Sequence, residues 1–287
     1  MASIRRGLKE NFADPQFKGW TKPGPIVLPP QDLKVEPGET LDAISGYFRL
    51  FQLKKGHRFS TDDVLTAWYG TTWRPRAERV LDLGSGIGSV GMIAAWRLPG
   101  ARFVTIEAQE ESVQLARKSA HYNQIEDRYE IRHGDFRDSA LLHSDEKFDL
   151  ILGSPPYFPL GTGVEGDHPQ KIACRFELRG NIGDYCAVAA RALAPGGWFA
   201  CVFPTEQLKR VERAAIESKL SIVRRRPVVL RDGEPPLLNV FAMLAQADLP
   251  KSFRDQTWVE PPLIIRARDG SVHPEYSAVK LSIGFPP

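Results

Sequence analysis

Residues 79–91 read Arg79-Val80-Leu81-Asp82-Leu83-Gly84-Ser85-Gly86-Ile87-Gly88-Ser89-Val90-Gly91. A short apolar run, Arg79 to Leu83, passes directly into a glycine-rich turn and then into a helical pattern, Ser89 to Arg97, closed by Pro99-Gly100. Strand, turn and helix in that order open a βαβ unit. The pattern repeats downstream. Strands are expected at Arg102 to Ile106, Tyr129 to Arg132, Phe148 to Leu152 and Trp198 to Phe203. Helices are expected at Glu110 to Asn123, Gly183 to Leu193 and Thr205 to Leu220. Short strands alternating with helices predict an α/β fold: a doubly wound, mainly parallel sheet with right-handed crossovers and helices on both faces.

The flanks differ. Upstream, Tyr47 to Leu53 reads as a strand, and Asp62 to Tyr69 as a helix capped by Ser60 or Thr61. Residues 1–40 hold Pro15, Pro23, Pro25, Pro29, Pro30 and Pro37 without apolar periodicity, which predicts an extended arm or a surface wrap. Downstream, Ile222 to Leu230 and Leu238 to Ala245 are joined by a turn-rich link with no helix, so an antiparallel edge hairpin is expected near the C-terminus. Leu263 to Arg266 adds a short strand before an Asp269-Gly270 turn. The expected division is an arm (1–40) and one domain (41–287). That domain comprises a cap (41–75), a ligand-binding core (76–205) and C-terminal edge strands (206–287).

Composition narrows the class. The chain has 287 residues, 42% hydrophobic and 25% charged, which is ordinary globular usage and excludes wholesale disorder or coiled coil. A net charge of +3 falls short of the basic balance that by itself announces a nucleic-acid binder. Three cysteines, Cys174, Cys186 and Cys201, are too few and too dispersed for a zinc site or a disulfide framework; buried free thiols and no metal are expected. No apolar run approaches the roughly 18 residues of a membrane helix, and Met1 to Phe12 has no apolar core of a secretory signal. The chain reads as soluble, intracellular and cytoplasmic, with no membrane partner.

In an open parallel sheet ligands sit at the carboxyl ends of the strands, where strand order reverses. Gly84, Gly86 and Gly88 let the backbone turn sharply and approach a ligand. Glu107, at the end of the second strand, is placed to accept two hydrogen bonds from a ribose diol. Asp82 precedes the turn. A carboxylate there repels a pyrophosphate and suits a cationic amine. Gly86-x-Gly88-x-x-Gly91 nevertheless satisfies the dinucleotide pattern in letters, so a nicotinamide oxidoreductase stays open as an alternative.

The fourth strand ends in Gly153-Ser154-Pro155-Pro156-Tyr157. Two prolines remove two donors, hold the chain extended and free carbonyls such as that of Pro155 to face a ligand. Ser154 offers a hydroxyl and Tyr157 a flat ring on which a base can stack.

Asp82 to Gly88, Glu107, Gly134-Asp135-Phe136, Ser154 to Tyr157 and Leu193-Ala194-Pro195-Gly196-Gly197 together resemble the motifs of Rossmann-like, class I S-adenosylmethionine-dependent methyltransferases that act on planar amino groups. The chain is most similar to the bacterial tRNA (adenine-N6) methyltransferases that modify the purine beside the anticodon of a valine tRNA. Their upstream signature is echoed in Gly46 to Gln52 and Gly56 to Leu65, and their tail in Leu263 to Arg266 through Asp269-Gly270 to Glu275-Tyr276.

The resemblance implies S-adenosylmethionine as cofactor and RNA, a tRNA above all, as substrate. Cofactor contacts are implied at Thr61, Asp62, Asp82, Gly84, Gly86, Gly88, Glu107, Asp135, Phe136 and Ser154. The catalytic element is implied at Ser154, Pro155, Pro156 and Tyr157, with hydrogen bonds from the target amine to the Ser154 side chain and the Pro155 carbonyl. On this reading Tyr157→Phe costs little, and none of the six histidines has a catalytic role. The family usually has Asn where this chain has Ser154. Serine there is more familiar among cytosine-N4 methyltransferases, which leaves the target base open.

Arg224-Arg225-Arg226 either contacts RNA phosphates or lies on a solvated strand edge. Two further alternatives are a protein glutamine methyltransferase and a non-catalytic RNA-binding protein on this scaffold.

Overall fold

The computed structural model describes residues 15–17, 19–28, 30–159, 161 and 168–287. The first 14 residues of the proline-rich arm (1–40) therefore lie outside the described residues.

Thirteen strands and seven helices are described. Two short hairpins come first: β1 (Gln16–Phe17) with β2 (Trp20–Thr21), and β3 (Glu39–Ala43) with β4 (Arg49–Leu53). Helix α1 (Thr61–Trp73) follows. The core then runs β5 (Arg79–Leu83), α2 (Ser89–Arg97), β6 (Arg102–Glu107), α3 (Glu110–Tyr122), β7 (Tyr129–His133) and β8 (Phe148–Gly153). Helices α4 (Pro169–Arg175) and α5 (Ile182–Ala192) lead to β9 (Leu193–Pro204), α6 (Leu208–Glu217), β10 (Leu220–Arg231) and β11 (Leu238–Ala245). The tail adds β12 (Trp258–Val259), β13 (Leu263–Arg266) and α7 (Pro274–Ser282).

Nine strands form one sheet in the order β12-β10-β11-β9-β8-β5-β6-β7, with β13 beside the outer half of β10. The pairings from β7 to β9 are parallel, and those of β11 with β9 and β10 are antiparallel. This is the doubly wound sheet that the strand–helix alternation predicts. The expected C-terminal hairpin is present, but it is not the rim: β12 and β13 add to β10 in parallel and cover it. From β5 the chain builds outward through β6 and β7, then returns to place β8 on the other side of β5. The crevice between the carboxyl ends of β5 and β8 is therefore the switch point, where ligands bind.

Helix α1 runs four residues past the expected Tyr69. Gly70 allows it to lie against the sheet, since a Cβ there would stand 2.5 Å from a Leu152 methyl. Thr71 and Thr72 satisfy their hydroxyls on carbonyls of the preceding turn. Its start is the expected one: Ser60 is the N-cap, in a capping box with Asp63. Strand β9 starts at Leu193, five residues before the expected Trp198, and passes through Pro195-Gly196-Gly197. Gly197 tolerates this because a Cβ would press on the Phe148 carbonyl at 2.7 Å.

The stretch before β3 lies across the α2–α3 side of the core. Val27 is buried, the Leu28 carbonyl accepts from the Gln124 side chain at 2.6 Å, and Asp32 approaches His121 at 3.4 Å. Among the described residues no helix is long and apolar enough to cross a membrane.

Candidate active site

A cavity of about 730 Å³ opens at the switch point. Its floor comes from strand ends. Asp82 stands at the end of β5 and Glu107 at the end of β6. Gly84, Ser85 and Gly86 form the turn after β5, and Ser154, Pro155, Pro156 and Tyr157 follow β8. Asp135 and Phe136 follow β7 and also line it, as does Asp62 in the first turn of α1. Eleven of the thirteen site residues expected from the sequence thus share one cavity. Thr61 and Gly88 do not line it. Thr61 hydrogen-bonds Tyr276 on α7, and Gly88 is the left-handed N-cap of α2 (φ 87°), set against Tyr129.

The glycine turn is shaped by a tyrosine the sequence reading did not anticipate. Gly84 adopts φ 60°, and a Cβ on it would overlap the hydroxyl of Tyr185 from α5. A Cβ on Gly153 would stand 2.7 Å from the same ring. Tyr185 therefore fills the space between the ends of β5 and β8, and both strand ends need glycine to admit it. Gly91, the last glycine of the dinucleotide-like pattern, serves helix–sheet packing. Its N–H donates to Asp82 at 2.9 Å, and a Cβ would collide with the Tyr129 hydroxyl.

Glu107 is buried, and each of its oxygens accepts a backbone hydrogen bond, one from Gly86 at 2.8 Å and one from Gln109 at 2.7 Å. These bonds favour the carboxylate, but burial outweighs them and its pKa lies above the ordinary range. Asp82 is raised further, by burial first and then by the neighbouring acids Asp63 and Glu107. Asp63, missed by the sequence reading, also lines the cavity, and burial pushes it up to about 7. Asp62 is raised by burial as well. Four carboxyl groups thus crowd a partly dehydrated floor. Burial and their mutual repulsion oppose full ionisation, and a cation in the cavity would favour it.

The motif after β8 is held from three directions. The Tyr157 hydroxyl donates to Asp62 at 2.6 Å, its carbonyl accepts from Gln207 at 2.9 Å, and its ring meets Phe203 edge-on at 5.5 Å. Pro155 is buried, while Ser154 and Tyr157 are half-buried at the cavity wall. Asp135 does not stand free, as an adenine contact would require. It pairs with Arg137, with oxygen–nitrogen distances from 2.5 to 3.1 Å, and that pairing holds its pKa down. Phe136 is buried, 4.6 Å from the Tyr185 ring.

Further parts of the wall come from the β4–α1 loop and from the α4 region. Lys54 and Arg58 enter from the β4–α1 loop, and Cys174, Arg175 and Arg179 from α4 and the turn after it. Cys174 is therefore not the buried core thiol expected. It is half-buried in the cavity wall, its pKa pushed to about 12 by burial and by Glu107. Cys186 and Cys201 are buried and free as expected. Among the described residues no group of three or more His, Cys, Asp or Glu side chains is arranged to hold a metal.

Comparison with known proteins places the chain in a family. Residues 64–176, the span from α1 through the glycine turn and the Ser154 motif to α4, match the family described as methyltransferase small domain. A protein of Porphyromonas gingivalis named tRNA1(Val) (adenine(37)-N6)-methyltransferase is 30% identical over 228 residues, covering 76% of this chain and 85% of its own. The chain belongs to that methyltransferase family. A relative of the same name from Pasteurella multocida is 26% identical, over 76% of this chain and 86% of its own. The fold is shared with a solved structure from Agrobacterium tumefaciens described as a predicted O-methyltransferase (TM-score 0.61, 20% identity, 78% of this chain and 97% of that one).

The basic run of this methyltransferase turns inward. The Arg224 guanidinium lies 3.5 Å from the Trp73 ring centre and pairs with Glu260 at 3.7 Å. Arg225 donates to Asn239 at 3.2 Å. Arg226 donates to the Pro261 carbonyl at 3.1 Å, pairs with Glu275 and lies 5.7 Å from the Trp68 ring centre. The three arginines are half-buried and each has partners within the protein, so the cluster is not a free, fully solvated strip. Cation–π stacking and ion pairs lock β10 onto α1 and the tail.

Proposed function

We propose that this methyltransferase transfers a methyl group from S-adenosylmethionine to the exocyclic amino group of a nucleobase in tRNA, at adenine-N6. The observation that carries the reading is the juxtaposition, in one cavity, of a carboxylate floor and the Ser154-Pro155-Pro156-Tyr157 wall.

The floor fits this cofactor. The sulfonium and α-ammonium outweigh the cofactor's own carboxylate, and the net positive charge offsets the carboxylates that burial otherwise drives toward protonation. The Ser85 hydroxyl, buried in the glycine turn, has no hydrogen-bond partner among the described residues, which suits a polar ligand atom at the turn. Each Glu107 oxygen keeps a second lone pair after accepting its backbone hydrogen bond, which suits the two hydroxyls of a ribose. Asp82 holds an amine end at the turn. Asp135 is occupied by Arg137, so it is assigned to the adenine only if that pair opens.

When bound, the cofactor supplies an electrophilic methyl. The chain's own residues orient the acceptor. An aromatic amine is a poor nucleophile because its lone pair is delocalised into the ring. Accepting its two N–H bonds at the Ser154 hydroxyl and the Pro155 carbonyl favours a pyramidal nitrogen with its lone pair directed toward the methyl. The rate enhancement then comes from positioning and from the electrostatics of the site. Tyr157 presents the ring on which the base rests, and the backbone carbonyls freed by the two prolines need no titration to act.

The reading is tested by incubating the enzyme with labelled S-adenosylmethionine and total tRNA, then resolving the nucleosides. Label in N6-methyladenosine is the expected outcome. Label in N4-methylcytidine would move the target base, as Ser154 in place of asparagine allows. Label only in protein glutamine would replace the RNA substrate altogether.

A further inference from the structure

The cavity is layered by charge. Its buried depth holds Asp63, Asp82 and Glu107, with Asp62 half-buried above them. Its exposed rim holds cations: Lys54 and Arg58 from the β4–α1 loop, and Arg175 and Arg179 from α4 and the turn after it. Arg58 is engaged, pairing with Asp42 at 2.9 Å. Lys54, Arg175 and Arg179 form no ion pair with any described residue. Arg179 stands near Glu107 and Asp135 without pairing with either.

Arg175 is tied to the motif that would hold the target base. The Phe158 N–H donates to the Arg175 carbonyl at 3.1 Å, and the Glu177 N–H donates to the Phe158 carbonyl at 2.9 Å. The Arg175 guanidinium lies 5.7 Å from the Phe158 ring centre. Glu177, the acid nearest in sequence, is taken up by Arg210 at 2.5 Å. A cation stacked on an aromatic ring, one residue beyond Tyr157, combines a charge for a phosphate with a face for a base.

We propose that Lys54, Arg175 and Arg179 are the docking surface for the RNA phosphates that flank the target base, with Phe158 and Arg175 as the platform for its neighbouring nucleotide. This rests on the tRNA reading above and assigns the contact to the cavity rim in place of Arg224–Arg226. A polyanion is drawn to the rim and repelled by the floor, so the strand lies across the mouth while one neutral base enters. A base in a single-stranded loop enters without the cost of opening a pair.

The test compares wild type with Lys54→Ala/Arg175→Ala/Arg179→Ala. Binding of a fluorescent anticodon stem-loop is followed against salt, and binding of S-adenosylhomocysteine is measured separately to show that the pocket is intact. Each single-strand phosphate contact contributes about 0.7 to the log–log salt slope, so the triple variant should lose about 2. Its RNA affinity at low salt should fall by one to three orders of magnitude, with S-adenosylhomocysteine affinity within a few-fold of wild type. Lys54→Glu, which reverses the charge, should weaken RNA binding more than Lys54→Ala. Wild-type RNA methylation together with an unchanged slope in the triple variant would overturn the rim assignment alone. Failure of wild type to bind or methylate any RNA would overturn the function reading and the rim with it.

Discussion

The Tyr157 hydroxyl donates a 2.6 Å hydrogen bond to the Asp62 carboxylate across 95 residues of sequence. It joins the wall that would hold the acceptor to the first turn of the helix that closes the cavity from the N-terminal side. The bond lies where burial raises the Asp62 pKa and where only this hydrogen bond opposes the rise. Asp62 therefore positions Tyr157 as much as it faces a cofactor.

Tyr157→Phe, innocuous if only the ring matters, should instead leave Asp62 without its donor. A charge-assisted hydrogen bond in such a setting contributes about 1.5–3 kcal/mol. A double-mutant cycle with Asp62→Asn, read on both thermal stability and kcat/KM, should show a coupling of about 1–2 kcal/mol. Additive effects would mean that the two side chains act independently.

The burial of Asp63 predicts a pH-sensitive pocket. Ser60 N–H donates to Asp63 at 2.9 Å, which favours the charged form, yet burial prevails and sets the pKa near 7 against 3.8 for an unperturbed carboxyl. The folded value is the higher one, so the folded state binds the extra proton. Stability from this group is complete below about pH 4 and is lost as pH rises toward 7. A cationic cofactor reverses the preference by favouring the ionised form. Its affinity should rise between pH 6 and 8, with proton release on binding, seen as a buffer-dependent calorimetric enthalpy. Asp63→Asn should flatten both trends; if they persist, another carboxyl is the one that titrates.

How far the sequence reveals this site depends on whether a residue's partners are local. The glycine turn, Glu107 and the Ser154 motif are legible because each sits where a strand must end, and strand ends follow from apolar runs. Tyr185, Arg179 and Cys174 are not. They reach the cavity from α5 and from the α4 region, and no spacing in their own segments announces that they face Gly84 or Glu107. The inward turn of Arg224 and Arg226 is equally hidden, because it depends on Trp73 and Trp68 lying under β10, a tertiary fact. Strand β3 overlaps the end of a proline-rich stretch whose composition argues for extended chain, and helix α7 buries only Tyr276 and Val279, too few apolar positions to mark a helical face.

Arg224→Ala should report that tertiary role. It removes the cation from the Trp73 face and leaves Glu260 with only the Tyr69 hydroxyl, a 2.6 Å hydrogen bond. A loss of about 1–2 kcal/mol is expected, lowering Tm by a few degrees and changing tryptophan emission. The salt dependence of RNA binding should stay as in wild type. A flattened slope with unchanged Tm would return this arginine to the RNA surface.

Ser85→Ala separates ligand binding from folding. The hydroxyl is buried and unpartnered, so deleting it removes an unsatisfied group, and the free protein should be as stable as wild type or slightly more so. If the hydroxyl bonds the cofactor, affinity for S-adenosylhomocysteine should fall by about 0.5–1.5 kcal/mol, roughly two- to twelvefold. Unchanged affinity in calorimetry would leave the hydroxyl unexplained and weaken the fit of this turn to that ligand.

Substitutions at Ser154 test which base is the acceptor. The serine stands half-buried in the cavity wall beside the buried Pro155, where a short side chain leaves more room than an amide does. A bond to the amine strengthens as the nitrogen becomes pyramidal, so Ser154→Ala should lower kcat by about tenfold to a hundredfold with KM for RNA and cofactor affinity little changed. Ser154→Asn carries a fixed acceptor further into the cavity. With adenine as target it should retain or improve turnover, because an amide oxygen accepts from the amine as well as a hydroxyl does. With a pocket fitted to another base it should abolish transfer while leaving S-adenosylhomocysteine binding intact. Single-turnover methyl transfer to tRNA by both variants, with the product nucleoside identified, distinguishes the two. If neither substitution alters the rate, the amine does not bond to this side chain and the Pro155 carbonyl is left as the orienting acceptor.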